Sequence, residues 1–345
     1  MTAALTIGID IGGTKVAGGV VDPDGQIHAR VRADTPHRST SPDVVEDTIV
    51  GVVEGLLAQV EPASVSAVGI GAAGFVAADR ATVAFAPHLS WRHEPLRDAL
   101  FGRIGLPITV DNDANAAAWA EWRFGAGRGE IHLVMVNLGT GIGGGIVIQG
   151  RVERGRFGIA GEFGHMRVVP GGLRCECGNR GCWEQYSSGN ALVREARALM
   201  AATSPITDDL RARVGGDAAR LTGPLITEAA QAGDRTAIEL LADVGSWLGI
   251  GVANLAAAFD PGMFVIGGGV SAAGELLLGP AREAYRRQLS GRGYRPEAQI
   301  VAAQLGNDAG LIGAADLARE HTPTPRPDTS TVTPRARWWR RRQPD

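Results

Sequence analysis

A strand, a glycine-rich turn and a returning strand occur twice in this chain, and no other feature limits its architecture as much. The first copy is Leu5–Ile11, apolar and β-branched and carrying Asp10, then Gly12-Gly13-Thr14-Lys15, then Val16–Val21. The second is Ile131–Leu138, then Gly139-Thr140-Gly141-Ile142-Gly143-Gly144-Gly145 read as one turn, then Ile146–Gln149. Two lobes that begin alike predict duplication of one α/β unit, with a cleft between the copies. The 345 residues suffice for two lobes of ordinary domain size.

The rest of the pattern fits between these landmarks. Asp22-Pro23-Asp24-Gly25 is a turn ahead of a third strand, Gln26–Ala33. Helices are predicted over 43–60, 94–104 and 114–124, and strands over 65–71 and 106–110. The clearest helix is 236–258, where Ile238, Leu241, Val244, Leu248, Val252 and Leu255 recur at spacings of three and four. Met263–Ile266 reads as a buried strand running into Gly267-Gly268-Gly269. A helix over 273–289, a strand over 299–305 and a helix over 309–319 follow. No apolar run approaches the roughly 20 residues that span a bilayer.

Charge separates the end of the chain from its body. The net charge is −3, yet 322–345 holds six arginines and two aspartates, leaving 28 basic and 35 acidic side chains elsewhere. An acidic body gives no reason to expect a nucleic-acid partner. Pro, Thr and Arg cannot bury a core, so 322–345 is expected to be a disordered basic tail. Its Arg337-Trp338-Trp339-Arg340-Arg341-Arg342 run reads as solvated, with a membrane surface or nucleic acid as the competing partner. The first residues carry no basic targeting region, so a cytoplasmic location without stable membrane insertion is expected.

Three glycine clusters stand at strand ends. Glycine lets backbone N–H groups approach phosphate oxygens without a Cβ in the way. Each cluster alone could be tight-turn chemistry; three together point to a nucleotide held between lobes. Neither the P-loop nor the dinucleotide fingerprint is matched. Asp111-Asn112-Asp113 lies where a strand gives way to a helix. One such residue serves as a helix cap, but three in a row exceed that need. A carboxylate at a strand's end, facing a crevice, can accept a proton from a substrate hydroxyl.

All three cysteines fall within one short stretch, as Cys175, Cys177 and Cys182, with His165 just upstream. They complete a Cys₃His set for tetrahedral zinc, with no open position for water, so the metal would be structural. Side chains alternate in an extended segment, which puts Cys175 and Cys177 on one side. Gly178 and Gly181 would let the chain turn back to bring in Cys182. An odd cysteine count argues against a disulfide framework.

Asp10-Ile11-Gly12-Gly13-Thr14-Lys15, Asp111-Asn112-Asp113, Leu138-Gly139-Thr140-Gly141-Ile142-Gly143, Glu162-Phe163-Gly164-His165 and the Cys-x-Cys-Gly-x-x-Gly-Cys-x-Glu run together resemble the repressor–ORF–kinase (ROK) sugar kinases. Within that family the chain looks most like the actinobacterial-type ATP-dependent glucokinases. The resemblance spans residue 5 to about 320. It implies an actin/hexokinase-like (ribonuclease H-like) α/β fold: a small lobe of 1–112 plus 307–321, and a large lobe of 113–306 with a zinc-binding insertion at 165–184.

The resemblance also implies roles. Asp113 would be the general base for the primary hydroxyl of glucose, with Asn112, Glu162, His165 and Glu184 binding the sugar. His165 would ligate zinc through its other ring nitrogen. Gly12, Gly13, Thr14 and Lys15 would face the phosphates of ATP, with Asp10 near Mg2+. Gly139, Thr140 and Gly141 would clasp the phosphates from the other lobe, and Gly267, Gly268 and Gly269 would lie against the adenosine. Lys15 also fits a solvated strand edge. A dimer or tetramer is expected.

Two positions depart from the family pattern. Ala73 stands where many relatives have proline, and His88 where such glucokinases usually have asparagine. Mannose, N-acetylglucosamine and fructose kinases share these motifs, and polyphosphate is an alternative donor. Sugar-sensing repressors of the family carry a winged helix before the first glycine motif, for which the residues before Asp10 leave no room.

Overall fold

A computed structural model describes residues 5–202 and 204–320. The proposed tail, 322–345, lies outside the described residues. In chain order the first half contains β1 (Leu5–Ile11), β2 (Lys15–Val21), β3 (Ile27–Asp34), α1 (Pro42–Leu57), β4 (Val65–Ala72), β5 (Phe75–Val76), β6 (Val83–Phe85), β7 (Arg92–Glu94), α2 (Leu96–Ile104), β8 (Ile108–Asn112) and α3 (Asp113–Arg123). The second contains β9 (His132–Leu138), β10 (Ile142–Ile148), β11 (Arg151–Val152), α4 (Gly189–Ala201), α5 (Asp208–Arg213), α6 (Gly223–Gln231), α7 (Arg235–Phe259), β12 (Met263–Gly267), α8 (Glu275–Gln288), β13 (Gln299–Ala302) and α9 (Ala309–Glu320).

The two principal sheets share one topology. One runs β3-β2-β1-β4-β8 and the other β11-β10-β9-β12-β13. In each, the first three strands form an antiparallel meander, and the last two pair in parallel. The repeat seen in the sequence is therefore a repeat of structure. Between the sheets lie α3 and α9: α9 covers β1 and β4, α3 covers β10, and the two helices pack on each other. Their core, which includes Trp119, Ala116, Leu311 and Ala315, also takes in Leu133 and Met135 from the second sheet.

Four features differ from the sequence reading. Gly143, Gly144 and Gly145 belong to β10, and only Gly139–Gly141 turns. The bare backbone of Gly143 and Gly145 admits α3, since a Cβ on Gly145 would meet Ala118 Cβ and the Ala114 carbonyl oxygen, while Gly144 makes room for Phe163. Residues 75–94 form a small three-stranded antiparallel sheet, and 189–231 holds three helices, neither of which the periodicity indicated. Finally, α7 is long and apolar enough by composition to cross a bilayer, contrary to expectation. It is mostly buried, with Leu241, Val244, Leu248 and Val252 in the core and α8 packed along it.

Candidate active site

The first glycine turn closes on itself through the Gly12 N–H, which donates to the Lys15 carbonyl at 3.0 Å, and Thr35 Oγ1 donates to the Gly12 carbonyl at 2.8 Å. The second closes from the Gly139 N–H to the Gly141 carbonyl at 3.0 Å. The start of α4 docks there, because the Gly189 N–H donates to the Gly139 carbonyl at 2.9 Å. Both turns line one cleft of about 1090 Å³, together with Asp10, Asp113, Glu184, His88, Asn137 and Gly268. Lys15 also lines this cleft.

The three residues after Val110 have separate tasks. Asn112 is the cap of α3: its Oδ1 accepts from Ala114 and Asn115 N–H at 2.9 and 3.1 Å, and its amide donates to the Gly74 carbonyl at 3.1 Å. One amide N–H is left for a ligand. Asp111 is buried and held by Arg154, whose Nε and Nη2 donate to Oδ2 at 2.9 and 2.5 Å. Its carboxylate is thus already occupied by protein donors. Asp113 opens the first turn of α3 and faces the cleft. Desolvation, with Asp10 and Glu162 as like charges nearby, raises its pKa to about 7.

Neighbouring carboxylates share that environment. Burial raises Asp10 to about 6, opposed by Lys15. Burial and the charge of Glu184 raise Glu162 to about 7. Excess negative charge in a cleft with one lysine suits hydroxyl groups and a hard cation bridging to phosphate.

Glu184 joins this cleft to the cysteine cluster. One of its oxygens, Oε1, lies 3.0 Å from Cys175 Sγ and 3.5 Å from His165 Nδ1. The other lies where a Cβ on Gly141 would be 2.5 Å away. The ligand atoms of His165, Cys175, Cys177 and Cys182 all fall within 4.8 Å of one another. Gly181 makes the return possible: its φ is +78°, and a side chain there would run into Val169. Three thiols and an imidazole at this spacing fit a tetrahedral metal. Trp183 fixes the segment from behind, buried on α7 with its indole N–H donating to the Trp247 carbonyl at 2.8 Å.

The chain matches the ROK family over residues 6–321. It belongs to the ROK family. The glucokinase of Streptomyces coelicolor is 50% identical over 319 residues, which are 92% of this chain and 99% of that protein. A ROK glucokinase from Streptomyces griseus, solved with glucose and AMPPNP, is 52% identical with a TM-score of 0.84, covering 92% of this chain and all of that one. The ROK hexokinase of Thermus thermophilus is 36% identical with a TM-score of 0.74, covering 92% and 98%. The fold is thus the actin/hexokinase-like fold of ROK proteins.

Not every ROK motif residue faces the main cleft. Gly267 ends β12, buried among Asn137 and Met135, whereas Gly268 lines the cleft and Gly269 an adjoining pocket of about 510 Å³. That pocket opens beside Gly139 and Thr140 and includes Asn190, Leu221, Thr222 and Pro224. These residues and Asn137 escaped the sequence reading; a polar residue at a strand's end was the only available signal. His88 packs over the first turn, its Cβ 3.1 Å from the Cβ position of Gly13.

Proposed function

We propose that the chain is an ATP-dependent glucokinase that phosphorylates the 6-hydroxyl of glucose. The observation that carries this reading is Asp113, a carboxylate shifted to about 7 in the same cleft as both phosphate-type glycine turns. The similarity to a glucokinase solved with glucose and AMPPNP supports it. Phosphoryl transfer asks the protein mainly for positioning and charge stabilisation. As the hydroxyl oxygen bonds to the γ-phosphorus and the bridge to ADP breaks, the hydroxyl proton passes to Asp113. Glu162, Glu184, His165 and the free N–H of Asn112 hold the sugar. Gly12–Lys15 and Gly139–Gly141 hold the phosphates, and the pocket beside Gly269 takes the adenosine.

Asp10 fits Mg2+, which neutralises charge on the phosphates when bound. His165, Cys175, Cys177 and Cys182 fit a structural Zn2+, which would fix the His165 ring and the Glu184 segment. The lobes, 1–112 with 307–321 and 113–306, close around the sugar. Family resemblance points to a dimer or tetramer, which sedimentation velocity tests. A coupled assay over glucose, mannose, N-acetylglucosamine and fructose, each with ATP and with polyphosphate, tests the reaction. The highest kcat/KM is expected for glucose with ATP; a flat response to every sugar would refute the proposal.

A further inference from the structure

Two arginines from separate segments converge on Asp111. Arg154 follows β11, and its Nε and Nη2 both reach Oδ2. Arg80, in the turn between β5 and β6, brings a second guanidinium 3.1 Å from the same oxygen. Asp111 is itself 3% exposed and stands two residues before Asp113. A planar guanidinium clasping a carboxylate with two N–H groups fixes direction as well as charge.

The backbone of Arg154 extends the link. Its carbonyl accepts the Ala160 N–H at 3.0 Å, two residues before Glu162. Midway along this loop, Gly158 lies against the small sheet, where a Cβ would stand 2.5 Å from the Val76 carbonyl oxygen and the Ala78 nitrogen. At its far end Gly161 abuts β10, with a Cβ position 2.6 Å from the Gly144 carbonyl oxygen. The segment bearing Glu162 is therefore tied at its start to β8, the strand that ends one residue before Asp113.

We infer that Arg154 is a positioning residue for the sugar: clasped on Asp111, it sets the loop of Glu162 against the base Asp113 without touching substrate. This rests on the roles proposed for Glu162 and Asp113. Released from Asp111, the loop would have to be ordered by glucose itself, and that ordering would weaken binding. The phosphate turns do not use this loop, so nucleotide binding would be spared.

The test compares Arg154→Ala, Arg154→Lys, Glu162→Gln and the Arg154→Ala/Glu162→Gln pair. Glucose and magnesium AMPPNP affinities are read by calorimetry, alongside kcat and KM. Arg154→Ala should weaken glucose by at least about tenfold and leave the nucleotide within about twofold. Arg154→Lys keeps the charge but loses the fork, so it should fall between, and it carries the test if the alanine variant does not fold. The double variant should bind glucose about as weakly as Glu162→Gln alone, because both changes act through one carboxylate. Unchanged glucose affinity, additive losses, or equal loss of sugar and nucleotide would overturn the inference. A parent protein that bound no glucose would overturn the glucokinase reading instead.

Discussion

A Cβ on Gly310 would stand 2.8 Å from Cγ of Asp10 and 3.0 Å from each carboxylate oxygen. The first turn of α9 thus presses on the carboxylate proposed to serve magnesium. Alanine is favoured over glycine in a helix by about 1 kcal/mol, so Gly310→Ala should fold. The yielding part is the Asp10 side chain. We expect kcat to fall at least about tenfold and the half-saturating magnesium concentration to rise, with Tm unchanged or higher. A magnesium titration of the parent rate and the variant rate checks this, and equal curves would count against the assignment of Asp10.

Asp113→Asn keeps size but cannot accept the proton. Turnover should drop at least about 10²-fold while glucose and nucleotide still bind. Asp111→Asn should behave differently. It leaves Arg154 and Arg80 facing a neutral amide, so it should lower stability by about 3 kcal/mol. Turnover and denaturant melts measured side by side separate the two; a stable but inactive Asp111→Asn would move the base two residues upstream.

The pH dependence follows from the shift of Asp113 to about 7. Only the ionised carboxylate is a base, so kcat/KM for glucose should rise with pH and level off above about 7. Stability should run the other way. A carboxyl whose folded pKa exceeds its unfolded value of 3.8 stabilises fully below that value, and the contribution is lost as pH rises through about 7. Asp113→Asn should therefore melt higher than the parent at pH 8, by a few kcal/mol of stability at most. Identical melting curves at pH 8 would show that the carboxylate is not desolvated.

Zinc should be found at one per chain. Cys177→Ser should lower both metal content and Tm, since structural metal binding is folding energy. Glucose KM should rise too, because Glu184 lies 3.0 Å from Cys175 Sγ. Atomic absorption on protein prepared without chelators provides the check, and metal-free protein with full activity would refute the assignment.

Closure should be visible in solution. Lys15 on β2 and Gly141 in the turn between β9 and β10 come from the two halves of the fold and line one cleft. Sugar binding should draw the lobes together and expel water. Small-angle scattering should give a smaller radius of gyration with glucose than without, and an equal radius at saturation would argue for a rigid cleft.

Much of the site was legible because its signals are local. A glycine turn between two apolar strands, a Cys-x-Cys with a third cysteine five residues on, and a polar run at a strand's end need only neighbouring residues. The readings that failed depended on distant partners. Gly143–Gly145 looked like turn until α3 and Phe163 were seen to need their bare backbone. The resemblance favours Asp113 over Asp111, and only the packing shows Arg154 and Arg80 engaged with Asp111. The residues of the pocket beside Gly269 carry no pattern of their own, since loops and helix starts from 189–227 assemble it.

By itself, the sequence determined the duplicated α/β architecture, the Cys₃His cluster and the residues that could do chemistry, because periodicity and spacing act over a few turns of chain. Only the tertiary structure shows which carboxylate is already held by guanidinium groups. What a carboxylate meets depends on packing: Asp113 stands beside Asp10 and Glu162, while Asp111 is met by two guanidinium groups. Those neighbours come from strands and loops far apart in the chain, and packing alone brings them together.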